Sequence, residues 1–142
     1  MMKATFRIPA YVAAASVGSL TMGMLLGLPI GLFGIIFGAV MAVPAIPVVM
    51  LAMWPALMLW LYLANRFAWQ TRSNYFWYSG ASSVVTAGVF LVIRLFVGAI
   101  EPPSFLVLFV GTALLIFCGG LAGLAYRAVM LWDQNSGGLT LF

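Results

Sequence analysis

Charged residues are nearly absent from this sequence. It contains six basic and two acidic residues among 142, or 6%, whereas a soluble domain carries roughly 25%. No charge occurs over the 58 residues from Ile8 to Asn65. Because about 20 apolar residues are enough to span the hydrocarbon layer of a bilayer, the composition excludes a water-soluble domain and predicts an integral membrane protein.

Histidine is missing altogether, and cysteine occurs once. Without histidine the chain has no imidazole base, no axial haem ligand and no zinc site of the usual type. The single Cys118 cannot form an intramolecular disulfide, and its apolar surroundings predict a small buried side chain rather than a reactive thiol. No base and nucleophile pair lies within the apolar runs. We therefore predict that the protein is not an enzyme and has no catalytic residues, metal ligands or cofactors.

Polar residues divide the rest of the chain into apolar blocks. The basic loop RFAWQTRSN covers 66–74, and EPP at 101–103 separates the last two blocks. The first block holds two or three crossings, with breaks near Pro29 or within 43–47. Lys and Arg are enriched on the cytoplasmic side of membrane spans, which favours two crossings because all but one of the basic residues then lie on that side. These residues are Lys3, Arg7, Arg66, Arg72 and Arg127.

The predicted fold is an all-α integral membrane protein of one domain, a four-helix transmembrane bundle made of two hairpins. Its helices are predicted near 10–41, 45–65, 76–99 and 104–127, with bends at Pro29 and Pro55 and a mobile tail at 133–142. The first helix needs a bend because 32 residues measure about 48 Å, against a hydrocarbon core of roughly 30 Å.

Both termini are predicted to be cytoplasmic, with the multi-pass chain embedded in the lipid bilayer of the inner (plasma) membrane. The net charge of +4 is explained by this orientation, so nucleic-acid binding is not indicated. Tyrosine and tryptophan favour the headgroup layer, and most of them fall at the predicted cytoplasmic boundary. They are Tyr11, Tyr62, Trp69, Tyr75, Trp77, Tyr78, Tyr126 and Trp132.

Glycine recurs at every third or fourth position of the first predicted helix. These glycines fall within an arc of about 80° on one helix face: Gly23, Gly27, Gly31, Gly34 and Gly38. Helices in lipid associate through close packing, and a glycine groove lets two backbones approach each other. The groove is predicted to receive either another helix of the same chain or a second copy or subunit. A smaller packing patch lies on the last helix, at Gly119, Gly120 and Gly123.

A polar seam follows one face of the third predicted helix. It consists of Ser79, Ser82, Ser83, Thr86, Arg94 and Glu101. Polar groups in a bilayer usually face the bundle interior or a wet cavity, although hydroxyls also bond back to carbonyls of their own helix. Three interpretations of Arg94 remain open. It snorkels to the outer headgroups, pairs internally with Glu101 or with carbonyls freed near the proline bends, or binds an anionic substrate or lipid headgroup.

Two functional hypotheses follow. The first is a non-enzymatic subunit or scaffold that packs with itself, as a homo-oligomer, or with another membrane subunit through its glycines. The second is a small transporter or channel for an anionic solute or a lipid-linked substrate, which uses the polar seam and the bends at Pro29 and Pro55. The short segment ANRFAW at 64–69 resembles the GtrA-like group, which is linked to lipid-carried sugar export. The resemblance covers those few residues and assigns a role to none of them.

Overall fold

The computed structural model describes residues 6–69, 71–98 and 101–135. These contain five α-helices, which we number α1 (Ile8–Gly27), α2 (Leu32–Ala42), α3 (Ala45–Phe67), α4 (Arg72–Phe96) and α5 (Phe105–Asn135), with a 3₁₀ turn at Leu28–Ile30. Four helical segments are long and apolar enough to cross a membrane: Ile8–Ile30, Ala45–Phe67, Arg72–Phe96 and Phe105–Trp132. The described chain is therefore all-helical, and its four long apolar helices are compatible with a multi-pass transmembrane bundle.

The prediction of one bent helix over 10–41 is wrong, because the chain reverses in the middle of that segment. α1 ends at Gly27, and α2 begins only at Leu32. Pro29 lies in the intervening turn, Leu28–Ile30, and has no amide proton to continue the helical hydrogen bonds. Gly31 has φ 82° and ψ −160°, a backbone conformation that is essentially restricted to glycine. Pro29 and Gly31 together end one helix and start the next.

α2 packs back along α1 with their glycines face to face. A β-carbon built on Gly23 would overlap the carbonyl oxygen of Gly38, and one on Gly27 would overlap that of Gly34. Facing positions move away from the turn in equal steps, so α1 and α2 are antiparallel. The backbones approach this closely because no side chain separates them.

The first half of α3 continues the direction of α2. Val43 and Pro44, which join the two helices, both keep right-handed helical dihedrals. Further along, the Tyr11 hydroxyl donates a hydrogen bond to the Met50 carbonyl, and the rings of Phe6 and Trp54 lie 5.1 Å apart. The segment that returns along α1 therefore begins at Leu32, well before the break that was predicted within 43–47.

α5 packs against both α1 and α4. A β-carbon on Gly18 of α1 would lie 3.2 Å from the Ala122 β-carbon, and one on Gly80 of α4 would lie 2.8 Å from the Ile116 carbonyl oxygen. Gly123 of α5 faces the Tyr75 carbonyl so closely that a β-carbon there would overlap it. Small residues thus set the spacing at both faces of α5.

One end of the bundle is packed and the other is loose. A buried cluster joins the start of α1, the second half of α3, the start of α4 and the last turns of α5. It contains Ala10, Tyr11, Ala14, Trp60, Ala64, Tyr75, Tyr126 and Met130. At the opposite end, large apolar side chains such as Phe33, Phe96 and Phe105 are 78%, 87% and 83% exposed. We call these the aromatic end and the open end.

The other helix ends also differ from the prediction, for reasons found in the neighbouring residues. α4 begins at Arg72 rather than 76 because the Thr71 side chain caps it, accepting a 3.3 Å hydrogen bond from the Asn74 amide. α5 continues past Arg127 to Asn135, since a charged side chain marks a membrane boundary without ending a helix. Residues 133–135 of the predicted mobile tail are accordingly helical. Lys3, the predicted helix end at 99 and the tail residues 136–142 lie outside the described residues.

Candidate functional site

A cavity of about 720 Å³ lies between the five helices. Residues from all five helices line it. Ligand sites for small molecules typically measure about 300–1,000 Å³ and are mostly apolar. The cavity is therefore large enough to hold an organic molecule or part of a lipid.

Small residues of α1, α2 and α5 make room for the cavity. Gly23, Gly27, Gly34 and Gly38 line it as well as joining α1 to α2, and Gly119 and Gly123 line it from α5. On α3 the lining positions include Ala45, Ala52 and Ala56. Because these residues carry at most a methyl group, the backbones meet at a few points while space remains beside them.

Aromatic side chains close the cavity at the aromatic end. The Trp60 ring lies 4.9 Å from the Tyr75 ring and 4.6 Å from the Tyr78 ring, between centroids. Tyr75 in turn stacks on Tyr126 at 6.4 Å. The Tyr78 hydroxyl donates a 2.9 Å hydrogen bond to the Ala56 carbonyl of α3. This wall connects α3, α4 and α5 and is held by ring packing and one hydrogen bond.

The hydroxyl groups of the polar seam face the cavity, but two of them are already bonded. Ser79, Ser82, Ser83 and Thr86 all line it. Ser82 donates to the Tyr78 carbonyl at 2.7 Å, and Ser83 donates to the Ser79 carbonyl at 2.9 Å. Back-bonding of this kind uses the hydroxyl proton within its own helix. This wall is therefore less polar than its sequence indicates.

Three other polar atoms beside the cavity are buried without a hydrogen-bond partner. They are the Ser19 hydroxyl, the Trp60 indole nitrogen and the Tyr75 hydroxyl, on residues that are 8%, 3% and 3% exposed and that all line the cavity. A buried polar group without a partner costs about 1–3 kcal/mol. Three such groups around one cavity therefore mark it as a place where polar atoms of another molecule would be stabilised.

Trp60 and Tyr75 do not satisfy each other. The two groups lie close together, yet no hydrogen bond of ordinary geometry joins them. The indole nitrogen is only a donor, whereas the phenol both donates and accepts. Even if Trp60 approached Tyr75 closely enough to donate to it, the Tyr75 proton would still lack an acceptor. At least one donor in this pair therefore stays available.

Among the described residues, no charged side chain lines the cavity. Arg94 and Glu101, the charged members of the predicted seam, are exposed. No salt bridge joins Arg94 to Glu101 in the described part of the chain, so the interpretation of a pair between them has no support there. Of the predicted polar seam, the hydroxyl residues therefore lie beside the cavity, whereas Arg94 and Glu101 lie outside it.

The predicted packing glycines also divide. Gly31 has nothing within 4 Å and lies in the turn, whereas the others each face a backbone or side chain of the same chain: Gly23, Gly27, Gly34, Gly38, Gly119, Gly120 and Gly123. Sequence reasoning missed Ser19, Trp60 and Tyr75 as site residues. Tyr75 was visible only as a member of the boundary set, and no sequence pattern singled out Ser19 or Trp60.

No group of three or more potential metal ligands occurs in the part of the chain that the structure describes. Comparison with family models, with characterised proteins and with solved structures gives no match.

Proposed function

We propose that the protein is a small carrier that takes an amphipathic molecule from the bilayer into this cavity. The observation that carries the proposal is a largely apolar space of about 720 Å³ with unpartnered polar groups at its wall. A fully packed bundle would leave no room for a transported molecule. The proposal corresponds to the transport hypothesis with a lipid-like substrate.

An anionic solute fits the cavity less well than an amphipathic molecule. The lining that the described residues form contains no lysine or arginine, and an ion moved from water into an apolar space loses hydration that nothing in this lining replaces. An apolar tail gains about 25 cal/mol for each Å² that it removes from water, and for a molecule already in lipid the cavity offers close packing instead.

The orientation belongs to the same proposal. We place four crossings in the inner membrane, with both termini and the aromatic end on the cytoplasmic side. Support comes from the enrichment of tyrosine and tryptophan at interfaces, together with the meeting of the start of α1 and the last turns of α5 at the aromatic end. Arg7, Arg66, Arg72 and Arg127 then agree with the rule for cytoplasmic charge.

The scaffold hypothesis stays a prediction. It depended in part on the glycine faces as contacts for another subunit, and seven of the eight predicted packing glycines, all except Gly31, face other residues of the chain. An assembly of several copies remains compatible with the carrier, but no contact in the described residues calls for one.

A pair of matched variants tests the carrier proposal. Ala87 lines the cavity from α4, whereas Ala81 on the same helix is exposed and does not line it. The full chain, in phosphatidylcholine nanodiscs, is irradiated with a photoreactive monoacylglycerol and the labelled peptides are mapped. We expect labelling of cavity residues that falls several-fold in Ala87→Leu and stays unchanged in Ala81→Leu.

Transport is then measured with the same variants in phosphatidylcholine vesicles, as transfer of a fluorescent acyl lipid between leaflets. Loss of transfer in Ala87→Leu, with normal transfer in Ala81→Leu, is the expected result. If labels fall only on lipid-facing positions, or if both variants behave like the original chain, the cavity has no role in binding and the proposal fails.

A further inference from the structure

We infer that the ligand of this cavity has an uncharged head with hydrogen-bond-accepting oxygens, held at the aromatic end by Trp60 and Tyr75. The inference rests on the proposed carrier function and defines the substrate class of the same site. It would include neutral glycerides and long-chain alcohols or quinones, and would exclude lipids whose charged group has to enter the cavity.

The need for acceptor atoms follows from the donors that the wall leaves unused. The Trp60 indole can only donate a proton, and the Tyr75 phenol has a proton without an acceptor. Ser19 supplies a third donor, a hydroxyl from α1 that also lines the cavity. Because all three groups can donate, a carbonyl, ether or hydroxyl oxygen is the simplest complement.

The position of the head follows from where these donors lie. Trp60 and Tyr75 are at the closed, aromatic end, with their ring centroids 4.9 Å apart. Beyond them the lining extends along α4 from Tyr75 to Phe90, a rise of about 22 Å. Ser82 and Ser83 on that wall have already used their protons. An apolar tail would therefore run towards the open end, past bonded hydroxyls and small residues.

The absence of charge follows from the lining. A phosphate or carboxylate head would enter a space where the described chain offers no basic side chain and three unpartnered neutral donors, which replace little of its lost hydration. A quaternary ammonium head would find aromatic faces, which attract cations, but it would leave every donor unpaired. A neutral head with oxygens is the one class that satisfies both the donors and the lack of countercharge.

Three probes with one photoreactive tail and different heads test this inference. The heads are glycerol ester, phosphate monoester and trimethylammonium, and each probe competes for the full chain in phosphatidylcholine nanodiscs. We expect the glycerol ester to bind at least about tenfold more tightly than either charged probe, because desolvation opposes them.

Tyr75→Phe provides the residue-level test. It removes one unpartnered hydroxyl, so we expect about tenfold weaker binding of the glycerol ester, which is the order of one hydrogen bond. Binding of the charged probes should not change. The melting temperature should be equal or higher, because a buried polar group without a partner has been removed. Tyr62→Phe is the control, since Tyr62 is exposed and outside the cavity.

The outcomes separate this inference from the proposed function. Cavity labelling by all three probes without preference, or with preference for a charged head, overturns the inference and leaves the carrier proposal intact. An unchanged affinity in Tyr75→Phe also overturns it, because water would then be the partner of these groups. If no probe labels the cavity, both fail, and Ala87→Leu will already have revealed this.

Discussion

Glycine has two different roles in this chain, and they are distinguished by what surrounds each Cα. Gly27 is needed because the Gly34 carbonyl occupies the space of a side chain, whereas Gly31 has empty surroundings and an unusual backbone conformation. Replacing the first introduces a collision, and replacing the second introduces strain. The two substitutions therefore make different tests of the α1–α2 turn.

Gly27→Leu should lower the free energy of unfolding by about 3 kcal/mol or more, because a rigid backbone rather than a flexible side chain has to move. Gly111→Leu is the control, since nothing lies within 4 Å of a β-carbon at Gly111, and its effect should stay within about 0.5 kcal/mol. Both are measured by denaturant titration in detergent. Equal effects at the two sites would contradict the packing of α1 on α2.

Gly31→Ala should destabilise the fold by about 1–3 kcal/mol through backbone strain alone. No contact is lost or gained, because the position is open. The loss should therefore be nearly the same for alanine and for serine in the same titration. A neutral result for both would mean that the turn does not need this backbone conformation.

Ala68→Gly, in contrast, should raise the free energy of unfolding. Ala68 ends α3 with φ 53° and ψ 33°, a left-handed conformation that costs an L-residue about 1–2 kcal/mol. Glycine removes that cost but loses about 0.5–1 kcal/mol of chain entropy, so we expect a net gain of roughly 0.5–1 kcal/mol. Ala81→Gly, within α4, is the comparison and should destabilise. If Ala68→Gly also destabilised, the end of α3 would not have this geometry.

At the scale of helices, the main discrepancy between sequence and structure is the reversal at 28–31. Gly23, Gly27, Gly34 and Gly38 lie on one face of a continuous helix, and they also face each other when that helix folds back at its middle. Periodicity is the same in both cases. The folded-back pair differs from a continuous helix only in that the glycine spacings on the two sides of Pro29 and Gly31 are mirror images of each other. Proline alone does not indicate a turn, because it is common in membrane helices.

A distance between spin labels separates the two arrangements. Val17 and Val43 are both exposed. Along the two chain segments they lie between two contacts, that of Gly23 with Gly38 and that of Tyr11 with Met50. In the fold described here their backbones should be about one helix spacing apart, roughly 8–10 Å. In a straight helix 26 residues would separate them by about 39 Å. Double electron–electron resonance on Val17→Cys/Val43→Cys, in a Cys118→Ala background, measures the difference, and a long distance would restore the single helix.

The other predicted helices were closer to the structure because short polar segments of the sequence mark their ends. Charged and polar clusters at 66–74 and 101–103 separate α3, α4 and α5 within a few residues of their actual ends, apart from the extension of α5. The cavity, in contrast, was not predictable. Its existence depends on how α3 crosses the space between α1 and α4. The local sequence around Ala52, Trp60 or Tyr75 does not predict that position of α3.

For the whole molecule, the composition alone predicted that the protein is surrounded by lipid. A chain with 6% charged residues has to meet lipid, and the exposure of Phe33, Phe96 and Phe105 agrees with that surrounding. The side of the membrane is a separate matter. It depends on a few arginines and on which end of the bundle carries them.

Sidedness is tested with single cysteines in the Cys118→Ala background. Phe67→Cys, just beyond Arg66, should react with an impermeant maleimide only after the inner membrane is opened. Ser104→Cys, before α5, should react in intact cells from outside. A fusion reporter at each terminus should give the cytoplasmic signal. Termini on opposite sides would mean an odd number of crossings and would remove the proposed orientation.

The mirrored glycines have a consequence for how the chain is made. Every contact that joins α1 to α2 comes from one continuous stretch of sequence around Pro29, so it needs nothing from the rest of the polypeptide. Assembly from such neighbouring partners is fast, because little loop entropy is lost. We expect this pair to close while the ribosome is still adding α4, so that the last helices dock onto a preformed half.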